Sequence, residues 1–161
     1  MNSFPHEVSD TELIVRGICS PYHVSSSGKL KPNAFDPTPG TDEVSVMRHD
    51  WIGTEACRDR SKSLADPEKN KIYRGMATLT ADLIRQTGAD IIDSRRHFPG
   101  HADIKLGFVT QDGEPPSAEV LHALRTRTKW LAKIANFLAD PEPGSSSWQG
   151  VPLCSSTNNQ N

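Results

Sequence analysis

The chain has 161 residues, 35% hydrophobic and 24% charged, with a formal net charge of −2. No run approaches the roughly 18–20 apolar residues of a membrane helix, and no apolar stretch over residues 1–10 reads as a cleavable signal peptide. Cys19, Cys57 and Cys154 are too few and too widely spaced for a disulfide framework or a CxxC metal pair, which fits a reducing, cytoplasmic setting. The near-neutral charge excludes bulk attraction to nucleic acid or membrane.

Charge is unevenly spread along this chain. Residues 1–56 hold four Lys/Arg against eight Asp/Glu, residues 57–139 hold fourteen against ten, and residues 140–161 add two acids. An acidic front is followed by a mildly basic back.

Residues 1–8 read as a flexible start and residues 9–139 as a single domain. Leu13 to Arg16 predicts a short strand. Ser20 to Asp42 carries Pro21, Pro32, Pro37, Pro39 and the run Ser25 to Ser27, and a loop of that length is usually functional or disordered. Val44 to Met47 predicts a second strand, and Thr54 to Ala65 a helix. Asp66-Pro67-Glu68 supplies a cap, a proline at the first helical position and an acid in the first turn. Ile72, Met76, Leu79 and Leu83 follow at helical spacing up to the Gly88 stop, so a second helix is expected there. Ala89 to Asp93 predicts a strand. Ala102, Ile104, Leu106 and Phe108 alternate with Asp103, Lys105 and Gly107, the pattern of a half-buried strand.

Ser117 follows Pro115-Pro116 as an N-cap, and Val120, Leu124, Leu131, Ala135 and Leu138 predict a long helix that Asp140-Pro141 ends. Residues 140–161 are rich in Pro, Gly, Ser and Asn, with Trp148, Val151 and Leu153 as their large apolar groups. They read as a disordered tail, with Trp148 and Val151 able to dock back. The expected class is α+β: a mixed sheet of about four to five strands packed by two long helices. The Val44 and Ala89 strands suggest a βαβ crossover, with the Ile104 strand beside Ile91.

Three groups of residues carry possible chemistry. In the first, Arg95, Arg96, His97 and His101 form a cationic cluster suited to a phosphate, while His97, His101 and Asp103 are the residue types that ligate zinc or iron. The same residues also suit a plain solvated strand connection. In the second, His49 precedes a helix that carries Cys57 in its first turn, a candidate base and thiol nucleophile; Cys57 also suits a small core position. The third is the basic face of the last helix, Arg125, Arg127, Lys129 and Lys133 around Trp130, which matches an acidic or phosphate-rich partner and equally an ordinary outer face. GxGxxG, GxxxxGK[ST], HExxH and GxSxG are absent.

Arg16 on a short strand, Asn33-Ala34-Phe35, Val44-Ser45-Val46 and Gly100-His101-Ala102-Asp103-Ile104 together resemble a group of small uncharacterised bacterial proteins. That resemblance spans residues 12 to 108 and implies no activity. An arginine on a first strand with a serine on a later one also resembles ADP-ribosyltransferase organisation, without a glutamate placed for that family. The leading functional expectation is an accessory protein that binds a protein partner through Ser20–Asp42 or the tail. The alternative is an enzyme or binding domain for a phosphate-containing or nucleotide-like molecule, held by Arg95, Arg96, His97 and His101 with His49 or Asp103 as acid–base groups. No cofactor is specified by the residues, and neither a nucleic-acid nor a membrane partner is expected.

Overall fold

The computed structural model describes residues 4–108 and 114–154. Its six strands are β1 (Leu13–Ser20), β2 (Glu43–Arg48), β3 (Ile72–Thr80), β4 (Asp90–Asp93), β5 (His101–Lys105) and β6 (Asn136–Ala139). Three helices join them: α1 (His49–Lys62), α2 (Ala81–Gln86) and α3 (Ala118–Ile134). The strands form one sheet in the order β4-β5-β2-β1-β3-β6, with every neighbouring pair antiparallel. The fold is α+β. Among the described residues no helix is long and apolar enough to cross a membrane.

Alternation along the strands builds two apolar layers. Ile14, Ile18, Val44, Val46, Ala77, Leu79, Ala102 and Ile104 face α3 and the short 3-10 turn Pro32–Phe35. Val15, Met47 and Met76 face α1 and meet Cys57 there. Partners directly opposite each other point to the same side, so Met47↔His101 and Ser45↔Asp103 place His101 and Asp103 on the α1 face. Beside them Ile92 remains 43% exposed.

Several expectations change. The sheet is antiparallel throughout, because β5 lies between β4 and β2; Ile91 does pair with Ile104. Ile72 to Thr80 is a strand and not a helix. It is covered on both faces, so burial runs unbroken from Gly75 to Leu79, and the spacing of Ile72, Met76 and Leu79 imitates a helix. Gly75 belongs to that strand pairing, since a Cβ there would collide with the Leu138 carbonyl of β6. The helix that follows is only Ala81–Gln86, begun where the Thr80 hydroxyl accepts from Leu83 N. The last helix starts as expected, with Ser117 Oγ accepting from Val120 N at 3.2 Å. It ends at Ile134, however, and Leu138 lies in β6 opposite Met76. The helix expected from Thr54 is α1, which begins at His49 and is interrupted at Gly53 (φ 80°).

The segments read as flexible are held by buried arginines. Arg48 is wholly buried and donates to Glu12 (2.6 and 2.9 Å), to Asp93 (2.7 Å) and to the Pro5 carbonyl (2.7 Å), which ties down residues 4–8. Arg58 donates to Asp140 (2.8 Å) and to the carbonyls of Glu142, Pro143 and Ser145. Trp148 and Leu153 then pack on the Met76 layer, and Thr78 donates to the Cys154 carbonyl. Residues 140–154 are therefore an integral covering of the sheet; residues 155–161, the rest of the expected tail, lie outside the described residues. The Ser20–Asp42 segment is built in as well, with Val24, Ala34 and Phe35 buried.

Removing one partner of a buried ion pair leaves an uncompensated charge. Arg58→Met should therefore lower the unfolding free energy by about 3–5 kcal/mol in chemical denaturation. The double variant Arg58→Met/Asp140→Asn should recover a substantial part of that loss.

Candidate functional site

β1 and β2 pair at Ile14↔Arg48 and Val15↔Met47, and then part. The opening falls in the middle of the sheet, and the Arg16 side chain occupies it. Its Nε donates to the Ala34 carbonyl at 3.0 Å and its Nη1 to the Ser45 carbonyl at 2.9 Å. Two cavities adjoin this guanidinium. One, of about 170 Å³, is lined by Arg16, Ser45, Arg60, Ser63, Phe98 and His101. The other, of about 290 Å³, is lined by Arg16, Tyr22, His23, Asn33, Asp36, Lys69 and Lys71.

Arg16 differs from Arg48 and Arg58, the two fully buried arginines. Arg48 and Arg58 each meet a buried carboxylate, whereas Arg16 makes no ion pair with any described residue. Burial pulls its pKa down to about 10, against the lifting effect of Cys19 and Asp36. Cationic groups surround it: Arg60 stacks over the Phe98 ring at 3.7 Å, and Lys69 and Lys71 line the far cavity. His23 is held neutral between them. Its Nδ1 accepts from Cys19 N at 3.0 Å, and burial, Arg16 and Lys71 together push its pKa down to about 3.

His101 stands at the opposite wall. Gly100, at φ 89° and with no room for a Cβ against Ile52, sets the turn that delivers it into β5. Its Nδ1 lies 2.6 Å from Ser94 Oγ, and its ring meets His97 and Phe98 edge-on, each at 4.8 Å between centroids. Burial lowers its pKa below the ordinary 6.5, with Asp103 opposing. His101 and Asp103 are both buried and His97 is exposed, and ligand atoms of all three lie within 4.8 Å of one another. The structure thus brings together His97, His101 and Asp103.

The remaining candidates separate. Arg95 donates to Asp93 (2.8 Å) and to the Pro5 carbonyl (2.9 Å), and lies 4.6 Å from the Trp51 ring centre, so its guanidinium is already engaged. Arg96 is exposed and lines a different cavity with Asp93 and Asp103. His49 Nε2 contacts Thr54 Oγ1 at 2.8 Å, not the Cys57 thiol. Cys57 is fully buried with Val15, Met47 and Met76, and burial pushes its pKa up to about 12, the wrong direction for a nucleophile. On α3, Arg127 turns inward to the Thr87 and Leu106 carbonyls and leaves the basic face.

Arg16 was the residue least visible as a site in the sequence. Its signal is phase: it is two residues from both Ile14 and Ile18, on the side of β1 that otherwise faces the core. Comparison with family models, curated proteins and solved structures found no match.

The buried histidine next to Arg16 makes stability depend on pH. Unfolded His23 takes up a proton near pH 6.5, whereas the folded chain refuses it until about pH 3. Stability therefore falls as pH drops below about 6.5, by up to about 1.4 kcal/mol per pH unit from this one group. Denaturation midpoints measured between pH 7 and pH 5 should decline, and His23→Asn should flatten that decline by one proton's worth.

Proposed function

We propose that this chain binds a phosphate-bearing, nucleotide-like small molecule in the opening between β1 and β2, with Arg16 as the principal partner of the anion. The observation that carries this reading is a half-buried guanidinium that makes no ion pair with any described residue, with Asp36 acting on it only from the wall of the far cavity. Buried charges are normally paired, and an arginine left with free donors in a cavity is suited to a bidentate oxyanion. The near cavity, at about 170 Å³, takes a phosphate group and not a whole nucleotide; drug-sized ligands need roughly 300 Å³ or more. The rest of the molecule extends along Phe98 and Arg60 or toward Lys71. The resemblance of the Arg16-then-Ser45 order to ADP-ribosyltransferases makes NAD the first probe. Neutral His101 on the wall of that cavity is the candidate acid–base group.

The accessory-protein reading draws less support. Phe35, Ala34 and Val24 of the long loop and Leu153 of the tail are packed inward, leaving few apolar anchors for a partner.

Thermal shift and calorimetry with NAD, pyrophosphate and inorganic phosphate, all in EDTA, test the proposal. At least one should stabilise the protein, and Arg16→Met should weaken its binding tenfold or more. That variant loses two hydrogen bonds to carbonyls along with a desolvated charge, so its own stability should change by less than about 1 kcal/mol. Arg95→Ala should bind as the parent does. Equal ligand stabilisation of the Arg16→Met variant, or none in the parent, would remove the reading.

A further inference from the structure

We propose that His97, His101 and Asp103 bind a divalent first-row transition ion, of the zinc or ferrous class, at the rim of the Arg16 cavity. The proposal does not depend on Arg16; it shares only His101 with the anion-binding reading, and an ion on Nε2 would replace the acid–base role given to His101 there. β5 places His101 and Asp103 two residues apart on one face, and the Ser94–Gly100 turn folds His97 back over them.

His101 and Asp103 are buried as residues, yet their free ligand atoms stay accessible. Asp103 is 4% exposed, yet its carboxylate receives no hydrogen bond and makes no ion pair with any described residue. Lys105, the nearest cation along β5, is taken by Asp42 (2.9 Å) and Glu43 (3.0 Å). On His101 the Nδ1 is engaged by Ser94 Oγ; a proton donated along that contact leaves the Nε2 lone pair facing outward. A hydroxyl on the far nitrogen is the outer-shell partner that fixes a metal-binding imidazole. The His101 Nε2 and the Asp103 carboxylate are thus accessible ligand atoms with no hydrogen bond to any described residue, and a third imidazole stands beside them.

Two imidazoles and one carboxylate suit zinc or iron and leave positions open. Ligand atoms around a tetrahedral ion with bonds of about 2.1 Å are about 3.4 Å apart, against a spread here of up to 4.8 Å. His97 closes the difference, because it is exposed on the turn and can change rotamer without disturbing the core. The open positions of the ion would face the cavity that His101 shares with Arg16 and Ser45.

Cobalt(II) titration of the EDTA-stripped full chain tests this, read by visible d–d absorption. The parent should bind one equivalent, with the bands abolished by zinc. His97→Ala and Asp103→Asn should each weaken cobalt binding at least tenfold, and Ser94→Ala about tenfold. Asp103→Asn keeps the side-chain shape, and His97 is exposed, so both variants should melt as the metal-free parent does. No bands in the parent, or unchanged affinity in both variants, would overturn the assignment. The latter result would place cobalt on other donors, such as Cys154 or His6.

Discussion

The parting of β1 from β2 after two residue pairs is the constraint around which the molecule is arranged. A sheet opened in its middle exposes backbone groups that must find partners. Arg16 meets that need by donating across the gap to the Ser45 and Ala34 carbonyls. The guanidinium satisfies them and leaves a positive charge inside the fold without a direct ion pair, Asp36 acting on it only at a distance. Everything proposed for the near cavity follows from that charge.

Arg16, Arg48 and Arg58 show how context assigns different work to the same side chain. Arg48 joins the segment around Pro5 to Glu12 and Asp93, across elements far apart in sequence. Arg58 fastens the stretch after β6 to α1 through Asp140 and three carbonyls. Both are compensated, and both explain why segments poor in apolar residues are ordered. Arg16 is compensated by two carbonyl dipoles and the through-space effect of Cys19 and Asp36, which lowers the cost of its burial without an ion pair. What lies opposite each arginine separates the two that fasten the fold from the one proposed to hold a ligand.

Much of the architecture was legible in the sequence, and the failures have physical causes. β5 was readable from Ala102, Ile104 and Asp103 because one face of it is dry and the other polar. Ser117 announced α3 because a cap is a local signal. Ile72 to Thr80 misled because a central strand covered on both faces loses its period of two, and its apolar spacing then fits a helix. The order of residues 4–8 and 140–154 depends on Arg48 and Arg58, whose partners lie far away along the chain, so composition alone read both stretches as loose. At the site, His97, His101 and Asp103 could be grouped because they share one turn and one strand. Arg95 and Arg96 have the residue types of anion ligands, but Asp93 and the Pro5 carbonyl engage Arg95, a pairing that the local sequence does not reveal. Arg16 could not be paired with Arg60 and His101 because strand order, not sequence, makes them neighbours.

A crystal structure of the metal-free chain with NAD or pyrophosphate tests the central claim most directly. The phosphate should appear in the opening between β1 and β2, hydrogen-bonded to the Arg16 guanidinium. Phosphate density at Arg95 and Arg96, or on the α3 face, with the opening filled by water alone, would contradict it.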